Sequence, residues 1–140
     1  MKNKTVAAWL AFLGGPLGLH CFYLRGIGSL LGWLLPIPTA LGLYGSDDGL
    51  SWALLPLLGF TIAGCALTAI VYGLMTPEKW NARYNAGRSG DSAAGNTGWF
   101  TIGAVVLALF FGSTILMASI AFSFQRFFEH EIEAGRKISQ

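Results

Sequence analysis

Four stretches of this chain contain no Asp, Glu, Lys or Arg: residues 5–24, 27–44, 49–76 and 99–125. A helix that crosses a bilayer needs about 20 mostly apolar residues, and each stretch is close to that length. A soluble domain of this size would need a polar face on each helix to meet water, which these stretches lack. Only 11% of the 140 residues are charged, against roughly a quarter in a soluble domain. The expected fold class is therefore all-α, a polytopic helical membrane protein with about four transmembrane helices.

Breakers divide the stretches unequally. The first is interrupted by Gly15-Pro16 and the second by Pro36 and Pro38, so a kinked or partly re-entrant course stays open for both. The third has an early Pro56, with Trp52 and Tyr72 near its ends, where rings suit the headgroup boundary. The fourth runs unbroken into "QRFFEHEIEAGRK". The expected organisation is a helical hairpin over residues 1–49 and a third transmembrane helix over 50–76. A surface helix and flexible loop follow over 77–98, then a fourth transmembrane helix with an amphipathic extension over 99–140.

With four crossings, Lys2, Lys4, Arg126, Arg136 and Lys137 share one side of the membrane, and Arg25, Lys79, Arg83 and Arg88 the other. Five cations against four barely orient the chain, but Lys2 and Lys4 abut the first stretch and favour cytoplasmic termini. The net charge of +2 is too small and scattered for a nucleic-acid partner. "MKNK" followed by "VAAWLAFL" imitates a signal peptide, yet no A-x-A-like site follows and His20 precedes Cys21, so cleavage is not expected.

Within "TPEKWNARYN", residues 76–85, Thr76 can cap, Pro77 suits the first helical position and Glu78 suits the positive helix end. Trp80 and Tyr84 then share a face, as do Lys79 and Arg83. The expected element is an amphipathic helix on the membrane surface, with Trp80, Arg83 and Tyr84 at the interface. Phe127 and Phe128 play the same interfacial part on the last helix, where Phe124 and Ile132 recur at helical spacing.

The candidates for chemistry are few. No Asp, Glu, Lys or Arg lies within a stretch, and His20 and His130 fall near helix ends, which argues against ion transport by a single copy. The hydroxyls of Thr61, Thr68, Ser113, Thr114 and Ser119 have no base at comparable depth, and hydroxyls in lipid commonly bond their own helix. Asp47 and Asp48 read as a solvated turn. His20 and Cys21 are adjacent, and His130 and Cys65 are expected elsewhere in the membrane, so no metal site is expected. The two cysteines should lie at different depths, which disfavours a disulfide. "GIGSLLG", residues 26–32, follows no strand and is no dinucleotide loop. Gly14 and Gly18, Gly28 and Gly32, and Ala104, Ala108 and Gly112 follow the spacing that lets helices approach closely in lipid.

"KNKTVAAWLAFLGGPLGLHCFYLRG", residues 2–26, resembles the TM-two domain family, with a Lys-rich start, a short apolar helix, a Gly-rich end and a His-Arg-Phe-Tyr-Leu-Gly-like turn. The run 76–85 is similar to the tail after the last helix of bacterial members. The resemblance marks His20, Cys21, Phe22, Tyr23 and Arg25 as the motif turn. Cys21 takes the family's usual arginine position, so the role of that arginine is absent or moved to Arg25. The resemblance implies a membrane hairpin and no established enzymatic activity. The expected function is a non-enzymatic accessory or interaction subunit of a bacterial inner-membrane complex, without cofactors and partnered by the bilayer and by another membrane protein or itself. The alternative is a small transporter, pore or lipid-handling protein.

Overall fold

The computed structural model describes residues 1–44, 51–87 and 92–138. These are helical, with no strand among the described residues: α1 (Lys4–Gly14), α2 (Leu19–Arg25), α3 (Leu30–Leu34), α4 (Pro36–Tyr44), α5 (Ser51–Leu74), α6 (Pro77–Tyr84) and α7 (Trp99–Ile138). Two of them, α5 over Ala53–Leu74 and α7, are long and apolar enough to cross a membrane. The Asp47-Asp48 pair lies outside the described residues.

The first stretch does not run straight. Asn3 caps α1, its Oδ1 accepting from the amides of Thr5 at 2.9 Å and Val6 at 3.4 Å. After 11 residues the helix stops at Gly14, a 3-10 turn carries Pro16, and Gly18 takes φ +73°. Only glycine visits that left-handed region without steric cost, and a Cβ at Gly18 would also collide with the carbonyl of Gly32. The chain therefore reverses, and α2 climbs back along α1 until the Asn3 amide donates to the Tyr23 hydroxyl at 2.8 Å. Lys2 Nζ donates to the carbonyl of Leu24 in the same place. Both ends of the stretch thus lie at one end of the bundle. At 1.5 Å per residue α1 reaches about 16 Å, roughly half of a 30 Å hydrocarbon layer.

The hairpin tip is pinned from outside. Gly26, at φ +81°, ends α2, and Ser29 starts the next helix by accepting from the Gly32 amide at 3.4 Å. Pro36 has no amide to bond the carbonyl four residues back, and the break between α3 and α4 falls at Leu35. Thr39 Oγ1, one turn on, donates both to the Leu35 carbonyl at 3.1 Å and across to the Pro16 carbonyl at 2.9 Å. One hydroxyl thus bridges the carbonyls beside two proline breaks.

The bundle interior is built from small side chains. Ala7, Ala8 and Ala11 of α1, Ala63, Ala66 and Ala69 of α5, and Ala104, Ala108 and Gly112 of α7 are all buried. Large apolar side chains point outward instead, including Leu13, Trp33, Phe110 and Met117 at 62–71% exposure. Small residues inside and large ones outside suit close helix contact in lipid, where burial of bulk gains nothing over the solvent. The hydroxyls behave accordingly: Thr61, Thr68, Thr114, Ser119 and Ser123 each donate to the carbonyl four residues back on their own helix, at 2.7–2.9 Å.

Two of the three small-residue pairings differ from expectation. Gly14 ends a helix and Gly18 is the reversal, so they form no helical stripe. Gly28 is exposed in a turn with open space where a Cβ would stand, and Gly32 alone is close-packed, against Phe22. Spacing cannot tell a helix stripe from a turn that uses the same residue for its dihedrals. On α7 the row is a true contact, and a Cβ at Gly112 would stand 2.7 Å from the Ala66 Cβ. Gly112→Leu should therefore force α5 and α7 apart and cost about 1–3 kcal/mol, read as a lowered unfolding midpoint in detergent. Gly135→Leu on the exposed extension should leave that midpoint unchanged.

Candidate functional site: the amino-terminal clasp and the His20 groove

Every polar side chain of the amino terminus is engaged where α1, α2, α6 and the start of α7 meet. The Asn85 carboxamide pairs with both backbone groups of Lys2: Oδ1 accepts from its amide at 2.7 Å and Nδ2 donates to its carbonyl at 3.2 Å. Nδ2 also donates to Asn81 Oδ1 at 3.0 Å. Trp80 Nε1 donates to the same Lys2 carbonyl at 2.8 Å. Asparagine offers donor and acceptor together, which neither Asp nor Leu does.

Lys4 is fully buried. Its Nζ donates to the Met75 carbonyl at 2.8 Å and to Thr97 Oγ1 at 2.6 Å. Met75 follows the carboxyl end of α5, where the helix dipole favours a cation. Desolvation still dominates and pulls the Lys4 amine below the ordinary lysine range, with the nearby Glu78 carboxylate partly opposing it. Beside it, Thr5 and Thr101 share a hydroxyl bond at 2.7 Å, and Trp9 Nε1 donates to the Phe100 carbonyl at 3.1 Å.

An aromatic cluster backs this network. Trp80 is fully buried against Ala7 and Leu24, with Tyr23, Tyr72, Met75 and Tyr84 around it. Its ring lies 4.5 Å from that of Tyr84 and 5.9 Å from that of Tyr72. The sequence places α6 correctly, since Thr76 Oγ1 caps it by accepting from Lys79 and Pro77 is its first residue. The expected lipid-facing role of Trp80 does not hold: the ring that was to anchor in headgroups seals the protein instead. Tyr84 is half-buried in the same cluster, and only Arg83 of the three is exposed, stacked 5.7 Å from the Tyr84 ring. Phe127 and Phe128 are exposed, at 59% and 58%, on the far part of α7.

The motif turn is a helix. His20 and Cys21 are buried, Phe22 packs 5.4 Å from the Trp33 ring, Tyr23 is bonded to Asn3, and Arg25 is exposed. The turns flank it, at Gly15–Leu17 and after Gly26. Cys65 is not remote from His20 as expected: both line a lateral groove of about 490 Å³ between α3–α4 and α5. Cys21 Sγ lies 3.3 Å from His20 Nε2, and both cysteines are free. Among the described residues no three His, Cys, Asp or Glu side chains gather as a metal site.

Sequence reasoning missed the role of Asn85 and the burial of Lys4. Each is an ordinary polar residue at a helix end, and its meaning comes from a partner 71 or 83 residues away. Asn85→Leu should leave the Lys2 amide without a partner and its carbonyl with Trp80 alone, at a cost of about 1–3 kcal/mol, seen as amino-terminal proteolysis in detergent. Lys4 predicts a pH dependence of definite sign. Below its lowered pKa, folded and unfolded chains are both charged and the burial cost is present in full. As pH rises towards the ordinary lysine range, the folded chain sheds its proton first, so stability climbs with pH. Lys4→Met should flatten that alkaline rise in thermal unfolding.

No family model matches this chain, and no curated protein or solved structure matches it either.

Proposed function

We propose that the chain is an integral membrane protein without catalytic activity, an accessory or interaction subunit of a bacterial inner-membrane complex whose amino-terminal part is of the TM-two type. The topology differs from four crossings. α1 and α2 form a hairpin that enters to half-depth and returns, while α3–α4, α5 and α7 cross. The contact of Asn3 with Tyr23 favours this arrangement, since it joins the two ends of the first stretch. The termini then face opposite sides. Among the described residues, Lys2, Lys4, Arg25, Lys79 and Arg83 gather at the clasp end, against Arg126, Arg136 and Lys137 on the far part of α7. That balance favours a cytoplasmic amino terminus.

The interaction role rests on one observation, the far part of α7. The helix has 40 residues, about 60 Å, or twice the hydrocarbon thickness. Its distal part exposes Phe124, Phe127, Phe128 and Ile132 at 58–64%, and a lone helix in water is marginal without a partner face. The lateral groove favours lipid handling as a second reading, and lipid scrambling above an empty-liposome control would support it.

Single reporter cysteines test the topology in a background with Cys21 and Cys65 changed to Ala. Asn3→Cys and Arg25→Cys should react with an impermeant maleimide only after spheroplast lysis, and Gly135→Cys before it. Reaction of Asn3→Cys and Arg25→Cys from opposite sides would restore a full first crossing. Native mass measurement in mild detergent should find a homo-oligomer or larger complex that Phe127→Ser with Phe128→Ser reduces. A strictly monomeric, partner-free wild type overturns the interaction role.

A further inference from the structure

The groove between α3–α4 and α5 is lined by a side chain with a hydrogen-bonding atom that the fold leaves unused. His20 is 4% exposed and lines the groove, and its Nδ1 is buried with no hydrogen-bond partner. Such atoms are rare in native proteins, because leaving one unmet is costly. The other ring nitrogen, Nε2, meets Cys21 Sγ at 3.3 Å. Sulfur is a weak acceptor and imidazole nitrogen a good one, which favours the tautomer whose Nε2 accepts from the thiol. Nδ1 then carries the ring proton and is a donor in need of an acceptor.

The remaining walls restrict what that acceptor belongs to. Leu31, Leu34, Ile37 and Phe60 make the groove apolar and leave it open at the side. Thr61 and Thr68 line it too, but both hydroxyl protons are spent on their own helix, on the carbonyls of Leu57 and Gly64. Gly64 leaves a flat patch between them, with nothing within 4 Å of where a Cβ would stand. With no cation on these walls, a charged group would enter at a heavy desolvation cost. His20 also lies five residues inward of Arg25, about 7–8 Å along the helix. A phospholipid tethered by its headgroup would have to sink for its ester carbonyls to reach that depth, whereas an uncharged head would not.

We propose that the groove binds an uncharged, membrane-dissolved ligand with a carbonyl-bearing ring on an apolar tail, the chemistry of an isoprenoid quinone, and that a shift of the His20 ring on entry brings its sealed Nδ1 to donate a hydrogen bond to the carbonyl. The ring lies against the flat patch at Gly64 and the tail follows Leu31, Leu34, Ile37 and Phe60 out to lipid. The volume of about 490 Å³ falls within the range of small-molecule sites, roughly 300–1,000 Å³. Binding needs no electron transfer by the protein and does not rest on the interaction role of α7.

The full-length protein in lipid nanodiscs is titrated with decyl-benzoquinone and, separately, with decyl-benzene, which has the tail and ring but no carbonyl. Bound ligand is counted by native mass measurement. Wild type should prefer the quinone about three- to ten-fold, the worth of one neutral hydrogen bond. His20→Phe keeps a ring of similar size and should erase the preference while still binding both weakly. Gly64→Leu projects into open space, so the protein folds, and it should abolish binding of both. Equal wild-type affinity for the two probes, binding unaffected by Gly64→Leu, or a tightly held phospholipid that the quinone does not displace would each overturn the proposal.

Discussion

The left-handed backbone at Gly18 sets the course of everything that follows it. Because that residue reverses the chain, Tyr23 returns to Asn3 and Leu24 returns to Lys2. The next helix then starts from the same end as the first. The reversal also leaves open carbonyls in an apolar setting, where water cannot meet them. Thr39 relieves the one at Pro16 by a bond from the neighbouring helix pair, so the tip is held by chemistry and not only by packing. In the proposed topology this hairpin reaches half-depth, which a membrane tolerates where non-helical backbone is buried in protein. Here α5 supplies that cover, with Cys65 against the backbone of Gly15.

The second constraint is side-chain size. Where solvent is as apolar as the core, helices gain little from hiding large residues and much from close backbone approach. Alanine on α1, α5 and α7 makes that approach, and hydroxyls folded back on their own helices make no demand on it. Polar contacts between elements are instead concentrated at the clasp, where Lys2, Lys4, Trp80 and Asn85 close the end of the bundle. One end is thus locked by directional bonds, and the middle is held by shape.

Much of this was legible in the sequence. The uncharged stretches marked the helices, Pro16 and Pro36 marked the breaks, and Thr76-Pro77 marked the start of α6, because dihedral limits and capping act within a few residues. The direction of the chain after a break was not legible. "GGPLG" reads equally as a loosened helix or as a reversal, and the deciding fact is the close approach of Gly32, which is distant in sequence. Periodicity also fails to distinguish lipid from protein as the partner of an aromatic face. Trp80 and Tyr84 share a face as their spacing requires, but that face meets Tyr72 and Leu24. The groove was invisible for a related reason: His20 and Cys65 are 45 positions apart and meet only because the hairpin turns back.

The uninterrupted length of α7 makes it a lever. Its packed part, from Thr101 to Ser119, is gripped by α1 and α5, and the remainder continues with no Pro or hinge to absorb a change of angle. Any small tilt of the gripped part is carried along the rod, so Phe127, Phe128 and Ile132 sweep through a larger arc than anything inside the bundle.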